Sequence, residues 1–155
     1  MKIFNKEISI NCPLEGKVSP LEYCPDEIFS KGLAGEGVVI FPTGNTVYAP
    51  YDAKIEFIFK SKHAIVLKGS GIESLIHIGL DTNVLKGKGF TLLVETGQTV
   101  KQGEKLIEFD PIVLKESQCI DVTAFVFTNL NRKDITVNKY GIVMANELFM
   151  KVERK

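Results

Sequence analysis

The sequence predicts an all-β fold, a sandwich or a barrel, and three observations carry that prediction. Short apolar runs rich in Val, Ile and Phe recur along the chain, and each stops at Gly, Pro, Asn or Asp. Thirteen glycines and six prolines are spread among these runs rather than gathered into a linker. Only residues 111–118 read as helical, and for no more than a turn or two.

The runs follow in order. Residues 37–41 form the first and lead into Pro42-Thr43-Gly44-Asn45, a tight turn, because Pro fixes φ and Gly or Asn accepts a positive one. Residues 54–59, 63–68 and 74–78 form the next three, with Gly69-Ser70-Gly71 as a three-residue hairpin loop between the last two. Residues 90–95 precede a compact loop in which Thr96-Gly97-Gln98 and Gln102-Gly103-Glu104 bracket Thr99-Val100-Lys101. Residues 105–109, 122–127 and a run near 148–152 complete the set. Alternation within the runs is imperfect, as expected where both faces of a strand are covered.

Composition narrows the function. The 155 residues fit one domain, taken as 1–155, and 45% hydrophobic residues are enough for a substantial core. Nineteen basic residues balance nineteen acidic ones, so no basic excess exists to neutralise phosphates, and a nucleic-acid partner is not expected. Cys12, Cys24 and Cys119 are odd in number and have no C-x-x-C spacing, which points to reduced thiols in a cytoplasmic chain. The N-terminus lacks a signal-peptide core. No apolar run approaches the roughly 20 residues that span a bilayer, so an integral membrane protein is not expected.

Only two histidines occur, His63 and His77, and both fall inside predicted strands. A three-residue loop pairs Lys68 with Ile72 and therefore His63 with His77, their Cβ atoms about 4.5–5.5 Å apart on one face. A two-residue loop would put them on opposite faces. A lone strand histidine is ordinarily satisfied by a backbone carbonyl. A facing pair makes chemical sense as a metal pair, or as a nucleophile with an assisting donor. Ser61 lies two positions before His63, and Asp81 follows His77 past Gly79.

These residues sit in a longer pattern. Pro-Asp-x-x-Phe at Pro25 to Phe29, Pro-Thr-Gly-Asn at Pro42 to Asn45 and Ala-Pro-x-Asp at Ala49 to Asp52 come first. His63-Ala64, His77-Ile78-Gly79-Leu80-Asp81-Thr82, Leu85-Lys86-Gly87-Lys88-Gly89-Phe90 and Gly97-Gln98-Thr99-Val100 follow. In this order they resemble the glucose-type enzyme IIA of the phosphoenolpyruvate-dependent sugar phosphotransferase system, over nearly the whole chain. The H-x-G-x-D-T element with the following L-K-G-x-G-F is the specific part.

The resemblance implies an antiparallel β-sandwich with short helical turns. It implies a phosphotransferase that takes a phosphoryl group from phospho-HPr on Nε2 of His77 and passes it to the IIB domain of a glucose-type permease. His63 would steady that group with a hydrogen bond. Ser61 stands where the family has a Thr that orients the second ring; it keeps the hydroxyl and lacks the methyl that stiffens the rotamer. The Gly79 carbonyl would hold the Nδ1 proton of His77. Asp26 and Asp81 match carboxylates that receive an arginine of HPr, and Ile28, Phe29, Phe59 and Leu75 fall at or near an apolar docking rim. No cofactor is implied, and no metal is required. No permease-like segment is attached, which implies a free-standing IIA, and the loop between the histidines is one residue shorter than in some relatives.

Three rivals share pieces of this pattern. A lysostaphin-type zinc endopeptidase has a stretch like Tyr48 to Ile55 and a loop like Gly97 to Gly103, yet it needs about three protein ligands and an H-x-H element, which this chain lacks. A biotinyl or lipoyl carrier needs a Met-Lys-Met or Asp-Lys-Ala hairpin, also lacking. A regulatory binding protein is compatible with the carrier, since such carriers signal through their phosphorylation state. No Walker-type loop is present for direct use of ATP.

Overall fold

The computed structural model describes residues 6–154. The strands are β1 (Lys6–Asn11), β2 (Gly16–Pro20), β3 (Glu36–Pro42), β4 (Thr46–Tyr48), β5 (Ala53–Ile58), β6 (Ala64–Gly69) and β7 (Ile72–Leu80). They continue as β8 (Phe90–Leu92), β9 (Thr99–Val100), β10 (Lys105–Phe109), β11 (Ile120–Phe127), β12 (Ile135–Val137), β13 (Gly141–Val143) and β14 (Leu148–Arg154). Among the described residues two short α-helices interrupt them, α1 (Glu27–Ser30) and α2 (Pro111–Glu116). Asp26 and Asp110 cap them, each carboxylate accepting from the amide two residues on, Ile28 at 2.8 Å and Ile112 at 3.0 Å.

An eight-stranded sheet of order β13-β2-β3-β11-β7-β6-β5-β9 faces two three-stranded sheets, β1-β14-β12 and β4-β10-β8. Each pairing is antiparallel among the described residues. Successive residues of a strand point to opposite faces, and the large sheet uses both. Val38, Ile40, Ile76, Ile78, Phe125 and Phe127 turn inward into the main core. On the outer face Val39, Val122, Ala124 and Val126 form a second, smaller cluster with Leu21, Cys24 and Phe29 from the segment that carries α1. This double cover explains the blurred alternation of the middle strands, and it sets the outer face of β7 beneath α1.

The structure corrects the hairpin between β6 and β7. Its loop has two residues, Ser70 and Gly71, at φ 53° and 80°, and Gly69 pairs with Ile72. Positive φ at both central residues matches the primed turn whose twist suits a hairpin. Gly69 belongs to the strand for another reason: a β-carbon there would stand 2.3 Å from the Asp52 carbonyl. Strands β1, β2, β4, β9, β12 and β13 have no counterpart among the predicted runs, and β8 stops at Leu92, short of residue 95.

Candidate functional site: an imidazole pair

His77 lies on the outer face of β7, between two small residues. Its cross-strand neighbours are Ala64 on β6 and Ala124 on β11, both buried. Larger side chains at either place would occupy the space the imidazole uses. Phe29 of α1 packs on one side of that ring, with centroids 5.1 Å apart, and Phe59 stands 6.4 Å away.

His63 reaches the same place by a different route from the one its register predicts. The β6 ladder ends at Ala64, which takes the position opposite His77, while the His63 carbonyl accepts from the Ile78 amide at 2.7 Å. Lys62 immediately before it is at φ 63°, in the left-handed region. The backbone has left the pleat there, so strand alternation no longer fixes where the His63 ring points. That ring lies 4.9 Å from His77, edge-on at 81°, and also contacts Phe59 and Phe90.

The orientation of His77 is held locally. Its Nδ1 is 2.9 Å from the Gly79 carbonyl, which in the neutral ring makes Nδ1 the donor and leaves Nε2 with the lone pair. Gly79 is at φ 78°, and a β-carbon on it would stand 2.4 Å from Thr82 Cγ2 and 2.7 Å from the Ile120 carbonyl. Thr82 is itself fixed, buried and donating to the Ile78 carbonyl at 2.7 Å. Glycine is therefore required at 79 on two counts, left-handed backbone and close approach.

Burial pushes the pKa of His77 below the ordinary histidine value, opposed by the Gly79 carbonyl and the Asp26 carboxylate, which favour the charged ring. Burial lowers His63 as well, and the neighbouring His77 adds to that; the Ser61 carbonyl acts the other way. Among the described residues, Nδ1 of His63 is buried and meets no hydrogen-bond partner within bonding geometry. Both rings are thus held toward the neutral, nucleophilic form near neutral pH.

The remaining predicted residues distribute around this pair. Ser61 donates weakly to the Asn83 carbonyl at 3.4 Å and forms no bond to His63. Asp26 is half-buried at the start of α1. Asp81 is exposed at φ 60°, where the chain turns away from His77. Ile28 is 57% exposed and Phe29 only 6%, so Phe29 supports the His77 ring from inside rather than standing on an outer rim. Phe59 and Leu75 are half-buried. Among the described residues no three His, Cys, Asp or Glu side chains group as metal ligands.

Ala64, Ala124 and Phe90 line the histidine pair, and nothing in their residue types marks them as functional in the sequence. Small alanines opposite a histidine carry no chemistry that a sequence pattern reports. They are recognised only once the register is known.

No helix among the described residues is long and apolar enough to cross a membrane. A family profile described as the phosphoenolpyruvate-dependent sugar phosphotransferase system, EIIA 1, matches residues 8–133. Among solved structures, the glucose permease IIA from Mycoplasma capricolum is similar to this chain. The two share 34% identity and superpose with a TM-score of 0.87, covering 97% of this chain and 99% of that one.

Proposed function

The chain belongs to the EIIA 1 family of the phosphoenolpyruvate-dependent sugar phosphotransferase system, and on that premise we propose that it carries a phosphoryl group on Nε2 of His77. The group comes from phospho-HPr and passes to the IIB domain of a glucose-type permease during sugar uptake. The whole chain acts as one carrier domain on the cytoplasmic side, with no cofactor of its own.

The observation that carries this reading is the 2.9 Å contact between Nδ1 of His77 and the Gly79 carbonyl. It commits the proton to Nδ1 and presents the Nε2 lone pair to an incoming phosphorus atom. In the forward step the N–P bond to Nε2 forms as the bond from phosphorus to the donor histidine breaks. The donor leaves with its electron pair, and the Nδ1 proton stays against the carbonyl. The ring becomes cationic as the bond forms, and the carbonyl and Asp26 offset that charge. His63 supplies a hydrogen bond to the phosphoryl oxygens. Phosphoryl transfer depends mostly on in-line positioning and charge stabilisation, which two rings on a rigid sheet supply.

Incubation with phosphoenolpyruvate, enzyme I and HPr, followed by intact mass measurement, tests the reading. An acid-labile gain of one phosphoryl group is expected. A mass unchanged under conditions that phosphorylate HPr overturns it.

A further inference from the structure

Phosphorylation sets the site two opposite tasks. The bare His77 ring is held toward its neutral form by burial. Once the Nε2 lone pair bonds phosphorus, and the donor histidine of HPr leaves with its own electron pair, the ring carries a positive charge. The Nδ1 proton does not relieve it, because a backbone carbonyl accepts a hydrogen bond and is not basic enough to take the proton. An imidazolium then stands against the buried side chains of Ala64 and Ala124, which offer no compensating charge. A cation in such surroundings needs partners.

A single turn of chain brings two of them. Asp26 caps α1 and Phe29 follows three residues later, so both approach from the same side of that turn. Asp26 is half-buried, with Oδ1 committed to the Ile28 amide at 2.8 Å, and its charge favours the cationic ring. The Phe29 centroid lies 5.1 Å from that of His77, within the roughly 6 Å over which a cation is drawn to an aromatic face. Phe59 stands at 6.4 Å, outside that range. Phe29 is also locked in place, 6% exposed and packed in the outer cluster with Leu21, Cys24, Val39 and Ala124. Leucine would fill the same space. Only an aromatic ring adds a negative face.

We propose that Phe29 stabilises the phosphorylated, cationic form of His77 through its π face, and so helps set how far the phosphoryl group moves from HPr to this chain. The proposal rests on the carrier reading given above and adds a positioning residue to it. The contact is weak for a neutral imidazole and strong for an imidazolium, so it acts selectively on the phosphorylated state. Among the described residues Asp26, on the cap of α1, and His63, 4.9 Å away, are the titratable groups that face His77. Neither is altered in the test.

The test places mono-, di- and trifluorophenylalanine at position 29, which drains the π face in steps while nearly keeping its shape. Phe29→Leu is the end point, Phe59→Leu the control, and a melting curve accompanies each variant. Two quantities are read: the His77 pKa by NMR titration of the free chain, and the equilibrium of phosphoryl exchange with HPr. Along the fluorine series the His77 pKa should fall stepwise. The exchange equilibrium should move toward phospho-HPr, by about three- to tenfold at the trifluoro end. Phe59→Leu should shift it far less. A flat fluorine series overturns the proposal, even where Phe29→Leu shows a shift, since that shift would then belong to packing. An equal shift from Phe59→Leu overturns it as well. A wild-type chain that takes no phosphoryl group from phospho-HPr overturns the carrier reading, and this role with it, even where the pKa series holds.

Discussion

The carbonyl of Gly79 lies 2.9 Å from Nδ1 of His77, two residues back along the same chain. The strand therefore supplies its own orienting group, and no third side chain is needed to fix the tautomer. The arrangement depends on a left-handed residue at 79, which turns that carbonyl back toward the ring.

Replacing Gly79 by Ala should strike fold and site together. The left-handed backbone and the contact with Thr82 Cγ2 should cost about 2–5 kcal/mol of stability. Denaturant titration measures this. Adding Thr82→Ser, which removes the offending methyl, should recover part of the loss; no recovery would mean that the Ile120 carbonyl is the harder obstacle.

The two histidines should fail differently. His77→Ala removes the attacking nitrogen and should abolish acceptance from phospho-HPr. His63→Gln keeps a donor of altered geometry, so acceptance should remain measurable while delivery to IIB slows. Single-turnover assays of both half-reactions separate the two. Equal and complete loss of acceptance in both variants would refute this division.

Acid should destabilise the fold through the same rings. Both folded pKa values are lowered, mainly by burial. Above the unfolded value of ~6.5 both states are neutral and the contribution to stability is constant. As pH falls below it, the unfolded chain takes up protons that the folded chain refuses, so stability drops until the lowered folded values are reached. Unfolding free energies between pH 7.5 and roughly 5 should show this decline, and it should be shallower in the double variant His63→Gln with His77→Ala. An identical slope in that variant would assign the decline to other groups.

Ile28 and Phe29 are adjacent yet should behave oppositely. Ile28 is 57% exposed, so Ile28→Asp should leave the melting curve intact and weaken HPr binding by about 1–3 kcal/mol. Phe29 is buried against His77, so Phe29→Ala should cost about 3 kcal/mol of stability. Calorimetric titration of HPr alongside melting curves distinguishes them. Normal HPr binding by Ile28→Asp would remove Ile28 from the docking surface.

Much of the fold was legible because the long strands are apolar runs bounded by turn residues: 105–109 coincides with β10, and 37–41 lies within β3. The missed strands are short or polar, as in Gly16–Pro20 and Gly141–Val143, and take their pairing from neighbours rather than from propensity. The hairpin register failed at Gly69, whose glycine answers to the Asp52 backbone and not to the turn. The juxtaposition of the histidines nevertheless holds, because the left-handed Lys62 ends the pleat before His63. No pattern of residue types announces such a bend, and none announces that Ala64 and Ala124 leave room for the ring.

Phosphorus–proton NMR of the chain phosphorylated through enzyme I and HPr tests the central claim most directly. Nε2 of His77 is free and Nδ1 is held by Gly79, so the phosphoryl group should appear as a single Nε2-phosphohistidine, mapped to His77 and absent in His77→Ala. Phosphorylation at Nδ1, or on His63, would contradict the account.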